Sequence, residues 1–292
     1  MRKIAGVHFV LMIILSAPVW GEWEPISKSL NAPNIQFLAI SNARPEFILA
    51  ASDREAYQSK DGGVSWKRIF GLRSVSRKIQ FIYVDPINEK RIYIAGDQGI
   101  KMSDSAGSKW KSIFQPSDSQ SKSVLCLARD PENSTRLWAG TRSGLMVLDE
   151  TTGDYKKMQG FPECAVHAIY FNDGDGARAL ASTDEGLYKS SVDFKDWQRV
   201  TVELRSAEEE TEEQSLEQFD IEELASPTYF SSIIHLPVAG QFYTATPNGI
   251  FESSPEADSW RRLEGQNLPS RKINHIERSA RTFYAATDHG IY

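Results

Sequence analysis

Short apolar runs follow one another along almost the whole chain, and turns rich in Gly, Pro, Asn and Asp separate them. Residues 79–84 and 91–96 are two such runs, with a turn that contains Pro and Asn between them. Strand side chains alternate between two faces, whereas an amphipathic helix repeats its apolar residues every three to four positions. Because the runs are short and turn residues end them, the sequence predicts strands and an all-β protein.

An aromatic residue followed by polar residues and then an apolar one recurs along the chain, at Trp23, Trp66, Trp110, Tyr155, Trp197 and Trp260. The separations are 43, 44, 45, 42 and 63 residues. Each interval holds apolar runs for four strands, which is the size of a β-propeller blade of roughly 40–45 residues. The longest step is one blade with an insertion, since a missing blade would double the spacing.

The two ends of the chain complement each other. The sequence stops at Tyr292, in the third strand of its sixth unit, while the N-terminal part begins with an unmatched aromatic strand at Trp23. Pairing these two fragments completes one blade and removes an exposed edge. We therefore predict a six-bladed β-propeller closed by the N-terminal strand. Seven blades are the alternative if further sequence follows.

The loop from Ser59 to Trp66 contains Ser59, Asp61, Gly63, Ser65 and Trp66 at the spacing of an Asp-box. It resembles the Asp-box (BNR) repeat of sialidase-like propellers and of photosystem II assembly-factor propellers. The resemblance implies a structural role for Ser59, Asp61, Gly63 and Trp66 in shaping a turn between two strands. Degenerate versions of the same pattern precede the next four repeat aromatics, so the resemblance extends over the chain after residue 21.

The first 21 residues have the pattern of a secretory signal peptide. Arg2 and Lys3 precede an apolar run that ends in small residues near Gly21. The alternative, a membrane anchor, needs a longer run of about 20 apolar residues. We expect residues 22–292 to be an exported propeller, periplasmic or secreted, with no membrane span after cleavage. Its cysteines, Cys126 and Cys164, permit one disulfide or two buried thiols.

Acidic residues concentrate in the insertion of the fifth blade, residues 203–225. Residues 203–223 include ten acidic residues and one basic residue, whereas the whole chain carries a net charge of only −6. A short helix and a solvated loop are both compatible with this composition. The chain has no basic patch for nucleic acid, and a partner would meet a strongly negative segment that includes Glu208, Glu209, Glu210, Glu212 and Glu213.

Loops that connect blades and turns between second and third strands share one face of a propeller, around the channel. We predict a binding rim there, formed by Arg73, Arg77, Lys78, Arg142, Asp184, Arg271, Lys272 and Asp288. These opposite charges are also suited to neutralise one another across the rim.

Motifs for catalysis are not evident in the sequence. A sialidase needs an arginine cluster, a Tyr–Glu nucleophile and an Asp acid, and the first-blade motif of that family is missing. Histidines fall in different blades, and no phosphate-binding glycine loop occurs, so we predict neither a metal nor a cofactor. The predicted function is non-catalytic binding of a protein, as in assembly factors. A glycan-binding or sialidase/glycoside-hydrolase-like propeller is the alternative.

Overall fold

The computed structural model describes residues 23–30, 34–116, 123–171, 179–190, 194–200, 203–205, 230–236, 240–246, 249–255, 257, 259–263, 272–279 and 282–292. These residues contain no helix and form six small sheets. The sheets are the blades of a six-bladed propeller, which confirms the predicted fold class. The predicted signal peptide (1–21) and the insertion after residue 205 lie outside the described residues.

The first three blades are four-stranded antiparallel sheets whose strands follow in chain order from the channel outward. Blade 1 consists of β1 (Phe37–Ile40), β2 (Ile48–Ala51), β3 (Glu55–Ser59) and β4 (Lys67–Gly71). Blade 2 consists of β5 (Ile79–Val84), β6 (Ile92–Gly96), β7 (Gly99–Ser103) and β8 (Lys111–Phe114). Blade 3 consists of β9 (Val124–Arg129), β10 (Arg136–Thr141), β11 (Gly144–Asp149) and β12 (Tyr155–Lys157).

The last three blades have four, five and three strands among the described residues, and the first strand of blade 5 departs from this order. Blade 4 consists of β13 (Val166–Phe171), β14 (Ala179–Thr183), β15 (Gly186–Ser190) and β16 (Trp197–Arg199). Blade 5 consists of β17 (Glu203–Arg205), β18 (Ser232–Leu236), β19 (Gln241–Thr246), β20 (Gly249–Ser253) and β21 (Ser259–Arg262). Blade 6 consists of β22 (Ile273–Ser279), β23 (Thr282–Thr287) and β24 (Gly290–Ile291).

Strand β17 is a feature that the repeat did not predict. It pairs in parallel with β21 and so adds a fifth strand to the outside of blade 5. Its three residues are the first three of the predicted acidic insertion. The insertion thus begins as part of the sheet, since the outermost strand of a blade has an open edge that can accept another strand.

The core is divided among the interfaces between blades. Among the described residues, one cluster of buried apolar side chains lies at each of the six interfaces. Phe47 and Leu49 of the first blade meet Ile79 and Ile92 of the second, for example, and all four are at most 1% exposed. Burying such a side chain contributes roughly 1.5–3 kcal/mol. Stability therefore depends on every blade having two neighbours.

The N-terminal segment joins the last blade to the first. Ile26 donates its backbone N–H to the carbonyl of Ile291 at the end of β24, at 2.9 Å. Trp23 packs against the cluster between blades 5 and 6, and Ile26 against the cluster between blades 6 and 1. The segment therefore takes the position of an outer strand of blade 6, which is the predicted closure.

The loop before β4 is a network of short hydrogen bonds. Gly63 donates its backbone N–H to Ser59 Oγ at 2.8 Å, and Ser65 donates its own to Asp61 Oδ1 at 2.9 Å. Trp66 closes the loop by donating Nε1–H to the Gly63 carbonyl at 3.0 Å and to the Ile26 carbonyl at 3.3 Å. The loop thus ties blade 1 to the N-terminal segment. The loop before β8 repeats this arrangement, with Trp110 reaching Gly107 and Ile69.

The same backbone shape persists where the sequence has lost the glycine. In blades 4 and 5 the residues three positions before the tryptophan are Phe194 and Ala257, and both have positive φ, 55° and 60°. Trp197 and Trp260 still donate Nε1–H to the carbonyls of these residues, at 3.1 and 3.0 Å. The left-handed conformation costs roughly 1–2 kcal/mol in a residue with a Cβ. The tryptophan hydrogen bond and interblade packing offset that cost.

Asp61 is expected to make the stability of the protein depend on pH. Its hydrogen bonds with Ser65 and Ser59 lower the pKa of the carboxyl to about 2, from an ordinary value of 3.8. A carboxyl group whose pKa is lowered by folding stabilises the fold at pH values above its pKa in the unfolded chain. This stabilisation is lost as the pH falls through its pKa in the folded protein. We expect Asp61→Asn to lower the Tm at pH 7. The difference from wild type should vanish between about pH 4 and pH 2, as thermal melts across that range would show. A difference in Tm that stays constant over this pH range would mean that the charge of Asp61 does not contribute to stability.

Cys126 and Cys164 are both buried and unbridged, in the cluster between blades 3 and 4. Burial raises the pKa of the Cys126 thiol to about 12 and also raises that of Cys164. Because the thiolate is the reactive form, we expect neither to react with a thiol reagent at pH 8 in the native protein. Both should react in guanidinium chloride. Rapid labelling of the native protein would contradict this prediction.

A buried ionic network joins blades 2 and 3 on the side where the inner strands end. The Arg129 side chain is 5% exposed and donates to Asp85 and Glu150, at 2.5 Å each. Tyr93 donates its hydroxyl to Glu150 at 2.7 Å, and Tyr83 accepts from the backbone N–H of Arg129 at 3.1 Å. One cation thus holds two buried carboxylates.

Candidate binding site at the channel mouth

Four inner strands begin with an irregularity of the same kind. In β5, β9, β13 and β22 the register against the second strand shifts by one residue near the start. The residue left out of the ladder in each is Gln80, Leu125, His167 and Asn274, respectively. A β-bulge of this type bends the strand and re-aims one side chain, and bulges are common beside functional sites.

The repeat places one residue from each blade at this position. With Gln36 of blade 1 and Ser231 of blade 5, the bulge residues form a set that we name the mouth ring: Gln36, Gln80, Leu125, His167, Ser231 and Asn274. Together with Phe37, Lys272 and Ile273 they line a cavity of about 200 Å³ at the end of the channel where the inner strands begin. Five of the six ring residues are polar. Two of them already donate to backbone carbonyls: Ser231 Oγ to Ala245 at 3.1 Å, and Asn274 Nδ2 to Ile35 at 2.9 Å.

Charge at this mouth is neutral to positive. Lys272 is the one lysine or arginine among the described residues that line the cavity, and no carboxylate lines it. Burial lowers the pKa of His167 below its usual value near 6.5, Arg142 acts in the same direction, and Asp184 opposes it. The imidazole is therefore neutral at pH 7 and can both donate and accept a hydrogen bond.

Aspartates in the turns between second and third strands fix the strands that carry the ring. Asp97 accepts the backbone N–H of Lys78 through Oδ2, and Asp184 accepts that of Ala165 through Oδ1, both at 2.9 Å. Each of these N–H groups directly precedes an inner strand. Asp184, predicted as a rim residue, thus uses one carboxylate oxygen to hold the start of β13.

The predicted rim residues occupy three kinds of place. Lys272 lines the cavity itself, and Arg142 donates Nε–H to Ser123 Oγ at 3.3 Å beside it. Asp288 pairs with the ring of His289 at 2.8 Å. The others that the structure describes, Arg73, Arg77 and Lys78, are exposed loop residues. Arg271 and the five predicted glutamates, Glu208, Glu209, Glu210, Glu212 and Glu213, lie outside the described residues.

Sequence reasoning missed the mouth ring, although a signal for it was present. In each unit the ring residue directly follows the apolar residue that opens the inner-strand run. A polar side chain recurs there in five of six units, among apolar neighbours. That recurrence marks a position that does not face the core, but a linear pattern does not show that the six positions converge.

Two kinds of feature are absent from the part of the chain that the structure describes. It contains no helix long and apolar enough to cross a membrane. It also contains no group of three or more His, Cys, Asp or Glu side chains placed to hold a metal ion.

Comparison with known proteins shows the fold and no family. No protein-family model matches the sequence, and no curated protein matches it. A GH74 xyloglucanase from Xanthomonas campestris has a similar structure, with a TM-score of 0.57 and 16% identity over 80% of this chain and 39% of that one. An ancestral GH74 enzyme gives 0.58 and 14%, over 91% of this chain and 36% of the other.

A third similar structure is the extracellular domain of a protein described as a one-component system, from B. thetaiotaomicron. It is 18% identical, with a TM-score of 0.48, over 88% of this chain and 39% of that one. This chain thus spans less than two fifths of the length of any of the three. At these identities the two GH74 likenesses show the propeller fold alone.

Proposed function

We propose that this chain is an exported, non-catalytic propeller of the Asp-box type that binds a protein partner at the mouth ring. The observation that carries the proposal is the mouth ring, which has one residue at the same repeat position of each blade; five of the six residues are polar and four lie at bulges. The side-chain amides of Gln36 and Gln80, the neutral imidazole and Lys272 suit a partner segment rich in carbonyl acceptors. Bulges that re-aim side chains toward one opening favour a binding role over a folding role.

The chemistry of the mouth supports binding rather than hydrolysis. Glycoside hydrolysis needs two carboxylates on opposite sides of the bond, about 5–10 Å apart. The described residues that line the mouth include no carboxylate, and Asp184 is engaged with a backbone N–H. We expect no turnover of sialosides or glucans by the purified protein. Turnover abolished by Asp184→Asn would favour the enzymatic alternative.

Photo-crosslinking tests the proposed surface directly. A benzophenone amino acid in place of Gln80 should cross-link the full-length protein to one discrete partner in cells that express it naturally. The same residue in place of Lys67, exposed on outer strand β4, is the matched control. Equal cross-linking from both positions, or none from Gln80, would contradict binding at the mouth.

Measurements of affinity then distinguish the mouth ring from the surface around it as the place of binding. With the captured partner, the double variant Gln80→Ala and Lys272→Ala should bind about tenfold more weakly, a loss typical of a central contact. Lys67→Ala should bind as the wild type does. An unchanged Kd in the double variant would mean that the partner binds elsewhere.

We further propose that the acidic insertion strengthens this binding electrostatically. Its charge is confined to a segment that the repeat does not require. Because Glu203–Arg205 form β17, the deletion that tests it should remove residues 206–225 only. The shortened protein should keep its Tm and lose affinity at low salt. That difference should shrink at 0.5 M salt, because screening shortens the range of charge interactions to a few Å. Equal affinity at low salt would leave the insertion without a role in binding.

A further inference from the structure

A second and larger cavity, which we name the lower cavity, lies at the end of the channel where the inner strands end. Its volume is about 520 Å³, within the range of roughly 300–1,000 Å³ typical of small-molecule sites. Residues from all six inner strands line it. The mouth-ring residue Ser231 lines both cavities, so the two cavities meet at blade 5.

Among the described residues, acidic, lysine and arginine residues line the lower cavity at four positions: Arg129, Asp130, Glu277 and Arg278. The first two are buried and engaged within the protein. Arg129 is 5% exposed and contacts Asp85 and Glu150. Asp130 is 7% exposed and accepts two backbone N–H groups through Oδ1 and the Nε1–H of Trp138 through Oδ2, each at 2.9 Å. The charges left to meet a ligand are therefore those of blade 6.

Glu277 and Arg278 place opposite charges at the end of one inner strand. They are consecutive residues of β22, and consecutive side chains of a strand point to opposite faces. Burial is the main reason that the pKa of Tyr83 is raised, and the charge of Glu277 adds to it. Burial also lowers the pKa of His235, and the charge of Arg278 acts in the same direction. The negative charge thus reaches blade 2 and the positive charge reaches blade 5.

Both residues are only partly buried, so a ligand can contact them. The Glu277 side chain is 30% exposed, and its Oε2 lies 3.7 Å from His275 Nε2, which is longer than a hydrogen bond. The guanidinium of Arg278 has five N–H donors, so it can bind a carboxylate and still keep a contact within the protein. Glu277 repels an anion and Arg278 repels a cation. A ligand with one charge of each sign is attracted by both.

Aromatic side chains lie across the channel from this pair of charges. Blade 6 is opposite blade 3 in a ring of six, and the blades beside blade 3 contribute Tyr83, Tyr170 and Phe171 to the wall. Tyr170 packs on Phe242 at a centroid distance of 5.8 Å, and Phe171 packs on Trp138 at 5.3 Å. Rings fixed in this way offer stacking and edge-to-face contacts to an aromatic group.

We propose that the lower cavity binds a free aromatic α-amino acid. Its ammonium group pairs with Glu277 and its carboxylate with Arg278, while its side chain packs on Tyr170 and Phe171 across the channel. An amino acid combines two opposite charges at one end with an apolar ring at the other, which matches the wall. This ligand is distinct from the partner proposed for the mouth ring, because these four residues line the lower cavity and not the mouth cavity.

Calorimetric titration of the full-length protein with phenylalanine derivatives tests the two charged contacts without any substitution. L-Phenylalanine carries both charges, N-acetyl-L-phenylalanine lacks the positive charge, and L-phenylalaninamide lacks the negative charge. L-Phenylalanine should bind about tenfold more tightly than either derivative. Glycine has both charges and no ring, and it should bind about tenfold more weakly than L-phenylalanine or not at all.

Two variants then assign each contact to its residue. In Glu277→Gln the advantage of L-phenylalanine over the N-acetyl derivative should fall below about threefold, and its advantage over the amide should remain. Arg278→Gln should have the reverse effect. Glu55→Gln and Arg68→Gln alter an exposed pair on blade 1 and are the matched controls, which should leave every affinity unchanged.

The proposal is overturned if L-phenylalanine does not bind, or if glycine or either derivative binds as tightly as L-phenylalanine. Equal losses for all probes in both variants would also overturn it, because they would show that the end of β22 has only a structural role. The comparison of probes in the wild-type protein remains decisive if a variant does not fold.

Discussion

Gly99→Ala should destabilise the protein by about 2–5 kcal/mol, and the upper value is close to the whole stability of a marginal domain. Gly99 opens the third strand of blade 2 with φ at +85°, where a residue with a Cβ pays roughly 1–2 kcal/mol. A Cβ there would also lie 1.9 Å from the carbonyl oxygen of Phe114 in β8. Backbone must move to relieve that contact, and overpacking of this kind costs roughly 1–3 kcal/mol more.

Gly62→Ala is the matched control, because it separates conformational strain from the clash. Gly62 has a similar φ of +69°, but no atom lies within 4 Å of the position of its Cβ. We expect a loss of about 1–2 kcal/mol, from strain alone. Urea denaturation with a shared slope m gives both values. Similar losses for the two variants would show that blade 2 absorbs the clash by a local shift.

Arg129→Met should cost about 3–5 kcal/mol, because it removes the cation that contacts both buried carboxylates, Asp85 and Glu150, at 2.5 Å. Among the described cations, only Arg91, 3.8 Å from Asp85, then remains beside them. The two acidic side chains are 2% and 10% exposed, so water does not replace the lost partner. Methionine keeps much of the volume, and the loss should therefore come from charge rather than from a cavity. The free energy of unfolding at pH 7, from urea titration, measures it.

Arg68→Met provides the comparison at the surface. Arg68 pairs with Glu55 at 2.6 Å, but the side chains are 64% and 36% exposed. An exposed pair contributes roughly 0–1 kcal/mol, because water solvates either partner alone. If Arg129→Met proves as mild as Arg68→Met, either Arg91, 3.8 Å from Asp85, or water from the channel must replace the lost cation.

The spacing of the sequence repeat largely determined where each blade lies along the chain. The recurrence of an aromatic residue at about one-blade spacing predicted the outer strands at Trp66, Trp110, Tyr155 and Trp197, and each lies at or directly before such a strand. Local chemistry suffices for this, because strand length, turn residues and the shape of the loop are set within one unit. Ring closure also followed, from the unmatched fragments at the two ends.

The candidate sites could be predicted only in part. Lys272 was expected at the rim and does line the mouth cavity. Gln80 and Asn274 were not predicted, since a bulge depends on how one strand meets the next. Arg129 was missed because it looks like an ordinary strand-end arginine until blade 3 packs against Asp85 of blade 2.

The sequence by itself thus determined the all-β class, the number of units and their order, because these follow from contacts between residues close in the chain. Tertiary structure decided what converges on the channel. It brought six separate positions into one mouth and placed Arg129 between two distant carboxylates. It also added β17 to an open edge. Such contacts join residues from different blades, so their energies depend on packing that no single repeat encodes.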